Sequence, residues 1–182
     1  MLFEPENSNI TEFGKFKQFN HSNCFISSAD EYLHKQLKEY DETKTIHFTS
    51  NGRFALHDII IYYARQYGPV NCIVSSFNIS VPAARKFIRA WDNGLFAQIQ
   101  FILNIQKRSN FMNAIRLLDS KFNIVFTSIH AKVAVIYTKN KHITVINSGN
   151  LSSNQNIERG FVSFDKETFN FDYKWLNNIL HQ

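Results

Sequence analysis

Two residues at the head of an apolar run carry the clearest chemistry in this 182-residue chain. The stretch Ser128-Ile-His-Ala-Lys-Val-Ala-Val-Ile-Tyr137 reads as a buried strand. Alternate side chains of a strand share a face, so His130 and Lys132 project the same way, about 6 to 7 Å apart. An unpaired ammonium is costly to bury, so burial alone does not account for Lys132. A histidine there supplies a nucleophile or a proton donor, and a lysine a fixed cation. Downstream lies Asn147-Ser148-Gly149-Asn150-Leu151-Ser152, reached through the polar link Thr138-Lys139-Asn140-Lys141, which reads as a hairpin turn. A five-residue loop over 138–142 pairs Tyr137 with Ile143. It sets Lys132 across from Ser148 and His130 across from Asn150, with all four on one face. A four-residue loop opposes His130 to Gly149 and splits the set. The gathering register is the expected one, because imidazole, ammonium, hydroxyl and carboxamide around one space make an oxyanion receptor.

The elements around these residues follow from periodicity and punctuation. Short strands and helices alternate from residue 44: a strand at 45–49, a helix at 52–67 capped by Ser50-Asn51, and a strand at 70–75. A helix at 80–93, a strand at 96–104, a helix at 109–120 and a strand at 122–127 follow. This rhythm implies parallel strands with helices on both faces. The hairpin strands at 130–137 and 142–147 break it. After them come a short helix near 151–156, a strand at 160–164 and a helix at 166–180. The expected fold class is α/β, with a mixed, mostly parallel sheet. Residues 1–43 read as a separate arm with a short helix near 29–40, and 44–182 as the catalytic domain.

The spacing His130-x-Lys132, then Ser148-Gly149-Asn150 and a downstream Glu158, resembles the phospholipase D superfamily. Its motif is H-x-K-x4-D followed by a hairpin return into G-S-x-N. The resemblance covers about residues 44–182 and departs at two places: Tyr137 stands at the aspartate position, which in that family mainly supports structure, and Asn147 stands where a glycine precedes the serine. It implies a metal-independent phosphodiesterase that needs no cofactor. In that chemistry His130 attacks phosphorus, Lys132 and Asn150 hold the non-bridging oxygens, Ser148 hydrogen-bonds within the shell, and Glu158 orients His130. Superfamily enzymes use two motifs and this chain holds one, so the resemblance implies a symmetric homodimer with its site at the interface.

Composition narrows the partners. The chain is 44% hydrophobic with eighteen Phe and three Pro, which excludes collagen-like and Pro/Gly-rich disordered classes. No apolar run approaches a membrane span, and the start, Met-Leu-Phe-Glu-Pro-Glu, lacks a secretory pattern, so a cytoplasmic address is expected. Cys24 and Cys72 lie far apart, and no His/Cys spacing suits a metal. The net charge of +5 suits a nucleic acid, DNA before RNA. Candidate backbone contacts are Lys107 and Arg108, just past a strand end where sites in open α/β sheets form. Ser76 and Asn78, past another strand, either line the same groove or cap their loop. His47, His57 and His142 read as structural or exposed, Arg53, Arg65, Arg85 and Arg89 as solvent-facing, and the Trp and Phe set as core or dimer contact. Two other functions fit the same residues: a catalytically silent nucleic-acid-binding or assembly protein, and a lipid phosphodiesterase. A chain with one motif is predicted to sediment as a dimer; a strict monomer at working concentration would contradict the two-copy site.

Overall fold

The computed structural model describes residues 16–18, 33, 37, 38, 40–52, 54–153 and 155–182; for 16–18, 51 and 107 the description stops at the backbone. Among the described residues eight strands form one sheet: β1 (Phe16–Gln18), β2 (Ile46–Asn51), β3 (Val70–Ser76), β4 (Phe96–Asn104), β5 (Asn123–Thr127), β6 (Val133–Tyr137), β7 (His142–Asn147) and β8 (Ile157–Ser163). The α-helices that lie wholly within the described residues are α1 (Leu56–Tyr67), α2 (Val81–Asp92), α3 (Met112–Asp119) and α4 (Lys166–Leu180), with a 3-10 helix, Ile105–Phe111, ahead of α3.

The sheet order is β1-β2-β8-β7-β6-β3-β4-β5. Only β3–β4 and β4–β5 pair in parallel; the other neighbours are antiparallel. The sheet is therefore mixed but not mostly parallel as expected. The strand–helix rhythm sets direction correctly, since β2, β3, β4 and β5 all run the same way. It does not set adjacency. The hairpin β6–β7 and the return strand β8 insert between β2 and β3, and each insertion adds antiparallel pairs.

Alternation along the strands divides the core. Cys72 and Val74 of β3, with Ala134 and Ile136 of β6, face the layer formed by α1, α2 and α3. Ile73, Val133 and Val135 face the opposite way, against Phe169 and Leu176 of α4. Helices thus cover both faces, as expected. Helix α1 starts at Leu56 and not at 52, because Ser50 and Asn51 belong to β2; Asp58 caps the helix instead, accepting from the Ala55 N–H at 2.9 Å. Helix α2 begins as expected, with Ser80 accepting from Ala83 and Pro82 in the first turn. No helix is seen among the described residues of 151–156; Leu151 bridges Ile79 instead, and β8 starts at Ile157. The arm helix expected over 29–40 falls largely outside the described residues. Leu33 and Leu37 are buried in the main core, and β1 pairs with β2.

Glycine 160 shows how tightly β8 fits. A Cβ there would lie 2.2 Å from the Ile146 carbonyl oxygen and 2.5 Å from Phe48 Cζ. Gly160→Ala is therefore predicted to cost about 2 kcal/mol by overpacking, roughly a 5 °C fall in Tm for a domain of this size. Thermal unfolding followed by circular dichroism reads it; an unchanged Tm would contradict this packing.

Candidate active site

Strands β3, β4, β5 and β7 end, and β6 and β8 begin, along one edge of the sheet. Sites in open α/β sheets form at such an edge. Here the apolar strands give way to polar residues that remain packed.

The hairpin register differs from the expected one. Tyr137 pairs with His142 and Val133 with Ile146, so the loop has four residues, 138–141. Thr138 explains the shorter loop: its N–H donates to the Lys141 carbonyl at 3.0 Å, and its hydroxyl accepts from the N–H groups of Asn140 and Lys141 at 3.2 and 3.1 Å. His142 is drawn into the strand, its ring 4.8 Å from that of Phe169 on α4. Carried to the edge, this register opposes Lys132 to Asn147, whose N–H donates to the Lys132 carbonyl at 3.0 Å, and opposes His130 to Gly149.

The next strand repairs the set. Asn147 pairs with Gly160 and the Ser148 N–H donates to the Arg159 carbonyl at 2.8 Å, so Glu158 comes opposite Gly149. On its other side Glu158 pairs with the buried Ser50 of β2. Extended past the ends of β6 and β7, these registers set Ser50, Glu158, Gly149 and His130 in one row. The glycine leaves the space into which the glutamate leans: a Cβ at 149 would sit 2.8 Å from Glu158 Cγ and 2.9 Å from its Cδ. The Ser148 hydroxyl, expected opposite Lys132, donates to the Glu158 carboxylate and accepts from the Arg159 N–H at 2.9 Å.

His130 is exposed, whereas Lys132 is only 7% exposed. The Lys132 ammonium donates to the His130 carbonyl at 2.7 Å and lies 3.0 Å from His130 Nδ1 and 3.4 Å from Nε2. Burial lowers the Lys132 pKa, and the negative charge of Glu158 opposes that shift. Asn150 is half-buried, its Oδ1 3.5 Å from the Ser76 hydroxyl. Ser76 is fully buried; it accepts from the Leu151 N–H at 3.1 Å and donates to the Asn78 carbonyl at 2.7 Å. Ser76 therefore ties the Asn150 loop to the end of β3. Arg108 is exposed in the 3-10 helix at the same edge, its guanidinium 4.7 Å above the Phe126 ring. Lys107 belongs to the same helix, and its side chain lies outside the described residues.

Two neighbours escaped the sequence reading. The Phe77 ring lies 4.9 Å from the His130 ring and 5.9 Å from the Lys132 ammonium. Asn104, 5% exposed, donates to the Ile129 carbonyl at 2.6 Å and accepts from the Gln106 N–H at 2.8 Å, which fixes the loop just before His130. A polar residue closing the long apolar strand β4 was the signal for Asn104. Phe77 gave none, because a phenylalanine beside a buried strand reads as core. Among the described residues no group of three or more His, Cys, Asp or Glu is placed to hold a metal ion.

Two measurements test the coupling of Lys132 with Glu158. Lysine depressed on folding binds fewer protons in the native than in the unfolded state, between its folded and its usual pKa. Stability is therefore predicted to rise with pH through a window just below the usual lysine value, and Lys132→Met should flatten that rise. Glu158→Gln removes the opposing charge and should destabilise the parent protein more than the Lys132→Met variant, with a coupling of about 1 kcal/mol. Additive effects in urea titrations would place the two groups outside each other's influence.

No family model and no curated protein matches this chain. Solved structures do match it. NucT from Helicobacter pylori aligns over 75% of this chain and 96% of its own, with 17% identity and a TM-score of 0.57. Polyphosphate kinase from Porphyromonas gingivalis aligns over 82% of this chain and 28% of its own, with 14% identity and a TM-score of 0.59. Phosphatidylserine synthase from Haemophilus influenzae aligns over 76% and 39%, with 11% identity and a TM-score of 0.51. The chain thus spans nearly all of NucT and well under half of each of the two larger enzymes. This chain shares the mixed α/β fold of these three proteins.

Proposed function

We propose that the protein is a metal-independent phosphodiesterase, a nuclease acting on DNA, that works through a phosphohistidine at the interface of a homodimer. The observation that carries this reading is the exposed His130 imidazole beside the buried Lys132 ammonium, with Asn150 and Glu158 at the same edge. The fold shared with NucT supports the reaction class that the His130-x-Lys132 resemblance implies. The net charge of +5 supports a polyanionic substrate.

Each residue then has a role. A ring nitrogen of His130 attacks phosphorus and forms a P–N bond as the P–O bond to the leaving alcohol breaks. The partner subunit's His130 gives that alcohol its proton. It next takes a proton from water, which attacks phosphorus, breaks the P–N bond and frees His130. Lys132 and Asn150 hold the non-bridging oxygens as negative charge builds on them. Glu158 keeps a carboxylate near the Lys132 ammonium and is itself held by Ser148; Glu158 also orients the imidazole. Ser76 and Asn104 act behind these groups, by holding the Asn150 loop and the His130 loop. Asn78 caps the same loop through its carbonyl. Arg108 and Lys107, both in the 3-10 helix at this edge, are assigned to the nucleic-acid backbone.

Tyr137, the departure from the family's aspartate, stands at the other end of β6, roughly 20 Å along the chain from His130. Its ring packs 5.6 Å from Phe169 and 5.4 Å from Tyr173 on α4. It takes up a packing role far from the chemistry.

Cleavage of end-labelled single- and double-stranded DNA in excess EDTA tests the proposal. The parent protein is predicted to cleave and His130→Ala to be inactive with an unchanged circular dichroism spectrum. Lys132→Ala and Asn150→Ala should each lower kcat by about 10² to 10³, as loss of an oxyanion donor does. Equal cleavage by the parent and His130→Ala would remove His130 as the nucleophile. An effect of Lys132→Ala confined to KM would remove it from transition-state stabilisation.

A further inference from the structure

Asn147 has no part in the chemistry assigned above, and stability does not explain it. The residue is 6% exposed, and its Oδ1 is buried with no hydrogen-bond partner. An unmet buried acceptor is costly. The motif that this stretch resembles carries a glycine here, so the backbone does not require a side chain at this position. A buried polar group kept at a cost calls for a function.

Register aims the side chain at the active edge. Asn147 is the last residue of β7, pairs with Gly160 of β8, and gives its N–H to the Lys132 carbonyl at 3.0 Å. Its side chain therefore rises from the face of the sheet that carries Lys132, Glu158 and His130. Gly149, two residues on, comes across from His130 when the β6–β7 register is extended, and Cβ positions so opposed lie about 5 Å apart. A Cβ at 149 would sit 3.2 Å from Asn147 Nδ2 and 2.9 Å from Glu158 Cδ. The amide nitrogen thus lies over Gly149, in the space that Glu158 and His130 border.

The two ends of the carboxamide are unlike. The oxygen is sealed in the interior, and the nitrogen is turned to the edge. That orientation is the favourable one, because the reverse would set the oxygen beside the Glu158 carboxylate. Among the described residues Nδ2 makes no hydrogen bond. The Lys132 ammonium, by contrast, is held at rest on the His130 carbonyl and ring. Nδ2 is therefore a donor that need not be released before an anion arrives. An anion near Glu158 meets repulsion, and an N–H donor in the same space offsets it.

We propose that Asn147 is a further catalytic residue, its Nδ2 donating to a non-bridging oxygen of the phosphodiester at His130. This rests on the nuclease reading and adds to it a donor that the resembled motif does not supply.

The test follows cleavage in EDTA at one linkage of a DNA strand that the parent protein cuts, made with oxygen or with a single phosphorothioate in separated Rp and Sp forms. Asn147→Ala and Asn147→Gly are predicted to lower kcat at the oxygen linkage by about 10² with KM little changed, as loss of one oxyanion donor does. Sulfur is a poor hydrogen-bond acceptor. Where it replaces the oxygen that Asn147 contacts, the loss should shrink to about threefold or less, while the other stereoisomer keeps it. Asn147→Gly reproduces the residue of the motif, and removing an unmet acceptor should leave the Tm of Asn147→Ala at or above the parental value. Parental rates in both variants would overturn the inference and leave the phosphodiesterase standing. So would an equal loss at Rp and Sp linkages, which would place the side chain behind Glu158 or Lys132, or a fall in Tm that accompanies the fall in rate. A parent protein that cuts no DNA linkage would overturn the inference together with the nuclease reading.

Discussion

A cation at the end of an apolar strand must have its charge answered, and for Lys132 the answer arrives through strand register. The ammonium is 7% exposed and sits just before the start of β6, between the ends of β3 and β7. An ion buried without a counter-charge costs several kcal/mol. Glu158 supplies that charge from two strands away, and it can lean toward the site because the intervening position is Gly149. A shift of one residue in either pairing would send the glutamate or the histidine to the opposite face of the sheet. The site therefore depends on two antiparallel registers at once, β6 against β7 and β7 against β8.

Other parts of the molecule guard those registers. Thr138 closes the hairpin at four residues, and His142 locks against Phe169. At the site end Ser75 holds the start of β6, accepting from the Val133 N–H at 3.2 Å. Ser76 ties the segment after β7 to β3, and Asn104 ties the segment before β6 to β4. Each tie is a short buried side chain bonded to main chain, the kind of partner that buried backbone groups need where a ladder ends. Their common effect is to leave His130 exposed on a loop whose backbone is fixed from both sides.

Local signals in the sequence were enough for much of this. Strand β4 and helix α4 have the expected bounds, because a long apolar run and a clear cap mark them. His130 and Lys132 were legible from their types alone. What misled was any feature decided across strands. Ser50 and Asn51 look like a helix cap but are taken up by pairing with β8. Leu151 looks like a helix start but bridges to Ile79. The hairpin register turned on whether residue 142 belongs to the loop or the strand; the Thr138 hydrogen bonds close the loop at 141, and the Phe169 ring on α4 holds His142 in the strand. Gly149 read as a spacer in a motif; its missing side chain matters only because Glu158 lies opposite.

The account turns on a covalent bond to His130. Its most direct measurement is to quench the reaction of end-labelled DNA in alkaline detergent, in the presence of EDTA, during the first turnover, and to analyse the protein. Label attached to His130, stable to alkali, released by mild acid and absent from His130→Ala, is the predicted result. Hydrolysis through that turnover with no label on the protein, or label on a different residue, would contradict it.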